Sequence, residues 1–560
     1  MWKILFPPLQ WLKGYSLTFL GRDAVSGVTL AAYAIPVSLA YATLAGLPPQ
    51  YGIYGYLIGG LFYAIFGTGM QLSVGPTSAI SLLIGTSIAT MAHGDVQRWV
   101  DLASLTALLL AGFSILAYLL KLNSIMNFIS ESILLGFKAG AALTIALTQL
   151  PKFLGVHGGG AGFGGRLATL ISQVPDTNLT VLIIGVSAVI LLLAGETFFP
   201  GRPFAIVIVI ASITIISTTS LLHSGINVVG NLPPGLPNFH MPAISISDME
   251  SVFPLAFACF LLAYIESVSA AKTLARQNGY EIDSRQELLA LAAANAATAF
   301  GQGFPVSGGL SQSAVNSNAG AKTPVSLVFA SAIIALSLVF LTGLLKNLPD
   351  VILASVLLIA IRGLVNISEM KRLWRVSRLE FSVALIAFSG VIVFGILKGV
   401  VIAAIASIAL LIRAVSDPHV AFLGRIPGTK RYTDISRHPD NETIPGMLLF
   451  RVEAAVLYFN TENIRNKVWS RVLIQEGKLK TVIWDLSTSP YLDIAGAKLI
   501  YRLYIDLKAK GISLKIAEAH AEVRDILRLE ELENLMGHIS RKISLNDLVN
   551  ETDKDIPGNS

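Results

Sequence analysis

Gln71-Leu-Ser-Val-Gly-Pro-Thr-Ser-Ala-Ile-Ser81 and Gly303-Phe-Pro-Val-Ser-Gly-Gly-Leu-Ser-Gln-Ser313 are two versions of one idea. Each is an extended, Gly/Pro-broken stretch that opens a short helix-compatible run. Apolar runs that reach or approach the roughly 20 residues needed to cross a hydrocarbon core number about fourteen. They begin near Ala24, Ile53, Pro76, Leu102, Ile125, Leu179, Phe204, Phe253, Gln286, Leu310, Pro324, Val351, Phe381 and Gly399. The two broken stretches open the third run of the first seven and the third run of the second seven. Paired interruptions at corresponding positions point to a binding site at the midplane of an inverted-repeat transporter. Gly and Pro also kink membrane helices without functional consequence, and the matching positions weigh against that simpler reading.

Outward from these breaks, composition divides the chain by solvent. Of 560 residues 53% are hydrophobic and 14% charged, against about 25% charged in soluble domains. The deficit lies between Asp23 and Arg413, while Arg425 to Ser560 reads as ordinary soluble protein. The net charge of +6 is modest, and the basic residues flank apolar segments instead of forming a nucleic-acid stripe, so no nucleic-acid partner is expected. Residues 1–23 lack a signal-peptide cleavage pattern and read as an amphipathic cytoplasmic leader. Lys3, Lys13 and Arg22 precede the first span. Lys121, Arg202, Lys272, Arg276, Arg285, Lys322 and the cluster Arg362, Lys371, Arg372, Arg375, Arg378 follow even-numbered spans. This asymmetry places both termini in the cytoplasm of a multi-pass cell-membrane protein. Cys259 is the one cysteine, which excludes an internal disulfide.

The transporter domain is expected over 24–415 and a Pro-, Gly- and charge-rich linker over 416–443. An α/β domain is expected over 444–550 and a disordered tail over 551–560. Within the α/β domain, strands are read at Gly446–Val452, Ala455–Phe459, Thr481–Leu486 and Gly511–Ala517. Helices are read from Asn460/Thr461 to about Glu476 and from Asp493 to Lys510, with two more following.

A broken helix offers unpaired backbone N–H groups and about half a positive charge at its N-terminus. Two such ends facing each other hold an anion without a basic side chain. The candidate ligands are Thr77, Ser78 and Ala79 on the third run and Leu310, Ser311 and Gln312 on the tenth. Their small and hydroxylic side chains admit a ligand to the backbone and add donors. Serines also pack helices against each other, so no single one of these residues is diagnostic. Glu266 is the lone acid of its apolar span. A carboxylate at that depth is protonated, paired or facing a watery cavity, which makes it a candidate proton carrier. Lys272 and Arg276 lie too far along the same helix to pair with it. Lys138, a short way into the fifth span, is read as snorkelling to the interface. Tyr41 sits in the middle of the first helix, where most aromatics only pack. No phosphate loop, metal cluster or nucleophile–base pair suggests an enzyme, and neither cofactor nor metal is expected.

Pro36-Val-Ser-Leu-Ala-Tyr-Ala-Thr-Leu-Ala-Gly-Leu-Pro-Pro-Gln-Tyr-Gly-Ile-Tyr54 resembles the signature of the SulP sulfate permease family. Gly136-Phe-Lys-Ala-Gly with Gln149, Phe304-Pro-Val-Ser-Gly-Gly-Leu-Ser-Gln-Ser-Ala-Val-Asn316 and Lys322-Thr-Pro are similar to it too. Asn460-Thr-Glu-Asn and Asp485-Leu-Ser…Asp493 resemble the family's C-terminal STAS domain. The resemblance implies a polytopic all-α fold of seven plus seven inverted spans in uracil-permease-like core and gate domains. It also implies elevator motion and a homodimer with STAS contact. By motif position it places Tyr41, Ser78, Glu266, Ser311 and Gln312 at the site, with Glu266 matching the acid of proton-coupled members. Three positions depart from the pattern: Gln312 where the family often has Arg, Val37 where it commonly has Gln, and Ala495 where relatives of the STAS domain carry a phosphorylatable hydroxyl. Two half-helix ends supply roughly one positive charge, enough for a monovalent anion. A proton on Glu266 eases binding of a divalent one. Proton-coupled sulfate symport is the expectation. Bicarbonate carriage with or without sodium, dicarboxylate carriage and an uncoupled anion channel are the alternatives.

Overall fold

Beside a large buried apolar core, the surface exposes many large apolar side chains and the interior holds polar and charged ones. Leu179, Ile190, Ile210, Phe340 and Phe394 are exposed, whereas Asp23, Gln71, Glu287, Asn295 and Asn316 are buried. The computed structural model describes Pro7 and residues 12–89, 91–122, 131–160, 162–198, 204–219, 225–242, 245–475, 477–536, 539–540 and 542–554. The run expected from Ile125 starts outside the described residues. The chain forms two compact units, Met1–Ser407 and Ile408–Ser560.

The first unit is helical. In order come α1 (Leu17–Leu44), α2 (Gln50–Phe66), β1 (Val74–Gly75), α3 (Ser78–Ile88), α4 (Val96–Leu119), α5 (Glu131–Leu154), α6 (Gly162–Gln173), α7 (Leu179–Phe198) and α8 (Phe204–Thr218). Then follow α9 (Ile246–Asn278), α10 (Ser284–Phe300), β2 (Ser307–Gly308), α11 (Leu310–Asn318), α12 (Val325–Phe340), α13 (Asp350–Arg362), α14 (Ile367–Val376), α15 (Arg378–Phe394) and α16 (Ile396–Ser416), the last running into the second unit. Helix starts are fixed by side chains that accept the orphan first-turn N–H groups. Asp95 serves Gln97 and Arg98, Ser245 serves Asp248, and Asp283 serves Arg285 and Gln286. α1 starts at Leu17, earlier than the expected first span, because Ser16 caps it. Among the described residues, length and apolar composition qualify five helices as membrane spans, or six if the pair bent by 113° around residue 177 counts as one. α3 and α11 fall short of the 20-residue requirement because each begins at a break inside the protein.

Two packing groups are visible. α10 lies against α4 and α2, α12 against α1 and α2, and α9 against α4; α15 and α13 lie against α5, and α13 against α7. Close approach depends on glycine. A Cβ at Gly52 would sit 1.9 Å from the Ser38 carbonyl oxygen. Gly52→Ala therefore forces α1 and α2 apart and is expected to cost about 1–3 kcal/mol. A lowered thermal midpoint of the detergent-solubilised protein reads this out; an unchanged midpoint refutes it.

The second unit holds a five-stranded sheet in the order β4-β3-β5-β6-β7. Its elements are β3 (Val420–Arg425), β4 (Tyr432–Asp434), β5 (Met447–Val452), α17 (Thr461–Ile474), β6 (Thr481–Asp485), α18 (Ile494–Ala509), β7 (Ser513–Ala517), α19 (Ala521–Leu529), α20 (Leu532–Met536) and α21 (Leu545–Lys554). β5, β6 and β7 are parallel, and β3 and β4 add an antiparallel edge.

Three expectations are corrected in this unit. The segment read as a linker carries β3 and β4: its Pro, Gly and charges sit in the turn 426–431 and around 436–443, and Val420, Ala421 and Leu423 are buried. His419 and Asp434, 2.7 Å apart, close the base of this hairpin. Burial pushes the Asp434 carboxyl up, but hydrogen bonds from His419 and Ser436 outweigh it and hold it below the ordinary range. Ala455–Phe459 is no strand beyond one bridge from Val456 to Leu492, because Asn460 ties the turn by bonding Leu457 N and Ala455 O. The tail expected from Glu551 starts as helix, with Thr552 buried and bonded to Leu548 O; residues 555–560 lie outside the described set.

A candidate anion site between two broken helices

The two broken stretches meet. β1 and β2 pair antiparallel, Val74 opposite Gly308 and Gly75 opposite Ser307. Only glycine fits at position 75, where a Cβ would lie 2.3 Å from the Tyr56 ring. The crossing is laced from side to side: Gly309 N donates to Ser73 O at 3.2 Å, and Ser73 N donates to Ser313 Oγ at 2.8 Å. Tyr56 and Ser73 share a short hydroxyl contact. Asn295, fully buried on α10, grips Val306 like a neighbouring strand. Its Oδ1 accepts from Val306 N at 2.9 Å and its Nδ2 donates to Val306 O at 3.0 Å.

α3 and α11 leave this crossing with unsatisfied first turns. The first intrahelical bonds are Ser81 N to Thr77 O and Ser313 N to Gly309 O. The amides of Ser78, Ala79 and Ile80, and those of Leu310, Ser311 and Gln312, thus have no partner within their own helix. Neither Thr77 nor Gly309 makes a side-chain cap. Together the two ends present about one positive charge.

Both ends border one cavity of about 110 Å³. It is lined by Tyr41, Thr77, Ser78, Lys138, Glu266, Ser269, Ala270, Gly309, Leu310, Ser311, Gln312, Ala360, Gly363 and Leu364. One water occupies roughly 10–15 Å³ on such a measure, so the space suits a small ion and not a bulky organic one. Every residue singled out from the sequence lines it except Ala79, which is buried in the first turn of α3. Glu266, Ser269 and Ala270 share one face of α9. The Glu266 Oε2 accepts from Thr77 Oγ1 and Ser307 Oγ, each at 3.2 Å. The carboxylate therefore touches both broken segments. Gln312 acts as a tether: its Nε2 donates to Pro76 O at 2.6 Å, binding α11 to the opposite break.

One sequence expectation fails here. Lys138 does not lie apart from the site; α5 turns it into the cavity wall. A cation inside Gly136-Phe-Lys-Ala-Gly was signal enough, but periodicity could not tell which face of α5 meets α9. Two other acids, Glu287 and Asp23, are buried. Glu287 on α10 accepts from Tyr63 Oη, Thr68 N and Gly69 N, anchoring the chain that enters β1. Asp23 on α1 accepts from Lys322 N and Thr323 N, anchoring the link after α11. Both escaped notice because they stand at the ends of apolar runs.

Comparison with known proteins adds the following. The sequence model of the Sulfate permease family matches residues 20–387, and that of the STAS domain matches residues 438–545. A probable sulfate transporter of Mycobacterium tuberculosis strain H37Rv is 30% identical over 531 residues, covering 95% of each chain. The chloroplastic sulfate transporter 4.1 of Arabidopsis thaliana is 30% identical over 557 residues, covering 95% of this chain and 80% of its own. Among solved structures, the murine Solute Carrier 26 family member A9 anion transporter in the inward-facing state superposes with a TM-score of 0.90 at 21% identity, covering 99% of this chain and 94% of its own. The transmembrane domain of the cyanobacterial bicarbonate transporter BicA gives 0.59 at 20% identity, covering 70% and 98%. At these identities the structures testify to fold alone.

Proposed function

We propose that this chain, which belongs to the sulfate permease family, is a secondary active carrier of inorganic anions, with sulfate as substrate and protons as the coupling ion. The observation that carries the reading is the single cavity shared by two uncapped half-helix ends and the Glu266 carboxylate. The anion is held by the hydroxyls of Ser78 and Ser311, the free amides beside them and the edge of Tyr41.

The charge count supports sulfate. Two helix ends supply about one positive charge between them, and Lys138 adds one. With Glu266 protonated the cavity balances a dianion; with Glu266 ionised it balances only a monoanion. A proton thus arrives with sulfate because the site attracts both together.

The fourteen apolar runs are read as two inverted sets of seven. α1–α4 and α9–α12 form a core that carries the broken helices, and it moves as an elevator against a gate containing α5, α7, α13 and α15. The cavity supports this division, since residues of α1, α3, α9 and α11 line it together with residues of α5 and α13. Lipid surrounds the helices, both termini are cytoplasmic, and two copies associate with their STAS domains contributing to the contact. Ala495, in the first turn of α18 behind the Asp493 cap, offers no hydroxyl for a phosphoryl switch.

Proteoliposomes loaded with purified protein test the reading. Labelled sulfate uptake should accelerate when the lumen is made alkaline, and unlabelled sulfate should compete better than bicarbonate, chloride or fumarate. Indifference to the proton gradient with sodium-driven bicarbonate uptake would favour the second reading, a bicarbonate carrier. The neutral Gln312, tied to Pro76 and adding no charge, is what speaks for that alternative.

A further inference from the structure

A second cavity, of about 340 Å³, adjoins the first, and Lys138 and Ser269 line both. It is polar and carries three carboxylates, Glu131, Glu369 and Glu380. Its cation Arg372 is already engaged, 2.5 Å from Glu369. No hydrogen bond or salt bridge holds Lys138 among the described residues. Of the lysines and arginines lining either cavity, Lys138 is the one outside a salt bridge among the described residues, and the carboxylate its charge acts on is Glu266 of the first cavity. Lys138 stands where an ion would pass from the vestibule to the half-helix ends.

We propose that Lys138 is the anion's counter-charge: it draws the ion past the carboxylates of the vestibule and sets the preference for divalent over monovalent substrates. This rests on the carrier reading above. The two helix ends match one negative charge, and Gln312 is spent on Pro76. The second charge of a dianion meets a full positive charge only at Lys138. The side chain belongs to α5 while the helix ends belong to α3 and α11, so the ammonium contacts the ion across the cavity. A monoanion needs only the helix ends and gains little from it.

Lys138→Met and Lys138→Arg in proteoliposomes test this, with sulfate and chloride as probes. The methionine variant should raise the KM for sulfate at least about tenfold and leave that for chloride within about threefold, as expected for one lost charge in a partly hydrated site. The arginine variant should restore sulfate uptake to within about threefold of wild type, since charge and not shape carries the effect. Lys138→Gln repeats the measurement if methionine lowers the yield of folded protein. An unchanged sulfate-to-chloride ratio in a variant of a sulfate-carrying wild type overturns the inference and leaves the carrier reading intact. A fall in Vmax for both anions alike, with no rescue by arginine, assigns Lys138 a structural role and also overturns it. A wild type that carries neither anion removes the carrier reading and this inference together.

Discussion

Glu266→Gln is expected to take up sulfate at a rate that no longer varies with pH and to lose all accumulation driven by a proton gradient. The amide copies the shape and neutrality of the protonated carboxyl, and it can still meet the Thr77 and Ser307 hydroxyls that the carboxylate engages. It cannot release a proton. In the wild type, raising the pH ionises Glu266 and places a negative charge beside the anion. Two unit charges about 4 Å apart cost about 4 kcal/mol at an effective dielectric of 20, and a dianion doubles that. Wild-type uptake should therefore fall steeply with alkalinity, while that of the glutamine variant stays flat and exceeds it at the alkaline end. Counterflow exchange of labelled for unlabelled sulfate isolates the anion's own path and should survive the substitution. A variant that keeps the wild-type pH profile would leave the proton without a carrier at this position.

The site was legible in the sequence because its makers are local. A Gly/Pro break followed by a short run of small residues dictates a helix end wherever it lies, and two such breaks at matching ranks imply a meeting. Glu266 stood out since nothing in its own span could neutralise it. What local pattern could not supply was the facing of one helix to another. Lys138 sits on α5, and whether it points to lipid, water or substrate depends on how α5 packs against α13 and α15. Gln312 likewise read as a ligand or a missing charge, and its bond to Pro76 belongs to a contact 236 residues away in the chain. In the second unit, β3 and β4 were hidden by the Pro and Gly of the turns around them. An edge hairpin of six and three residues carries too little periodicity to outweigh those breakers.

A contact spanning only 11 residues makes Asn295 a scaffold residue of the candidate site. Asn295→Leu keeps the branched four-heavy-atom outline of the side chain and removes every polar atom. It leaves the N–H and C=O of Val306 unpaired in a place where neither water nor another strand reaches them, since Asn295 and Val306 are both fully buried. Each orphaned group costs about 1–3 kcal/mol. The extended segment can recover that energy only by shifting toward other partners. Val306 precedes Ser307, which pairs with Gly75 and bonds Glu266, so any shift also moves the N-terminus of α11. A misplacement of about 1 Å at a reacting or binding group costs on the order of a hundredfold in rate. Asn295→Leu should therefore lower the thermal midpoint in detergent and cut sulfate uptake about a hundredfold, by loss of both affinity and turnover. Asn295→Asp, which keeps the acceptor for Val306 N and loses the donor to Val306 O, should fall between the two. If the leucine variant transports at the wild-type rate, the crossing of the two breaks is not what positions the anion, and the free amides of α11 need another support.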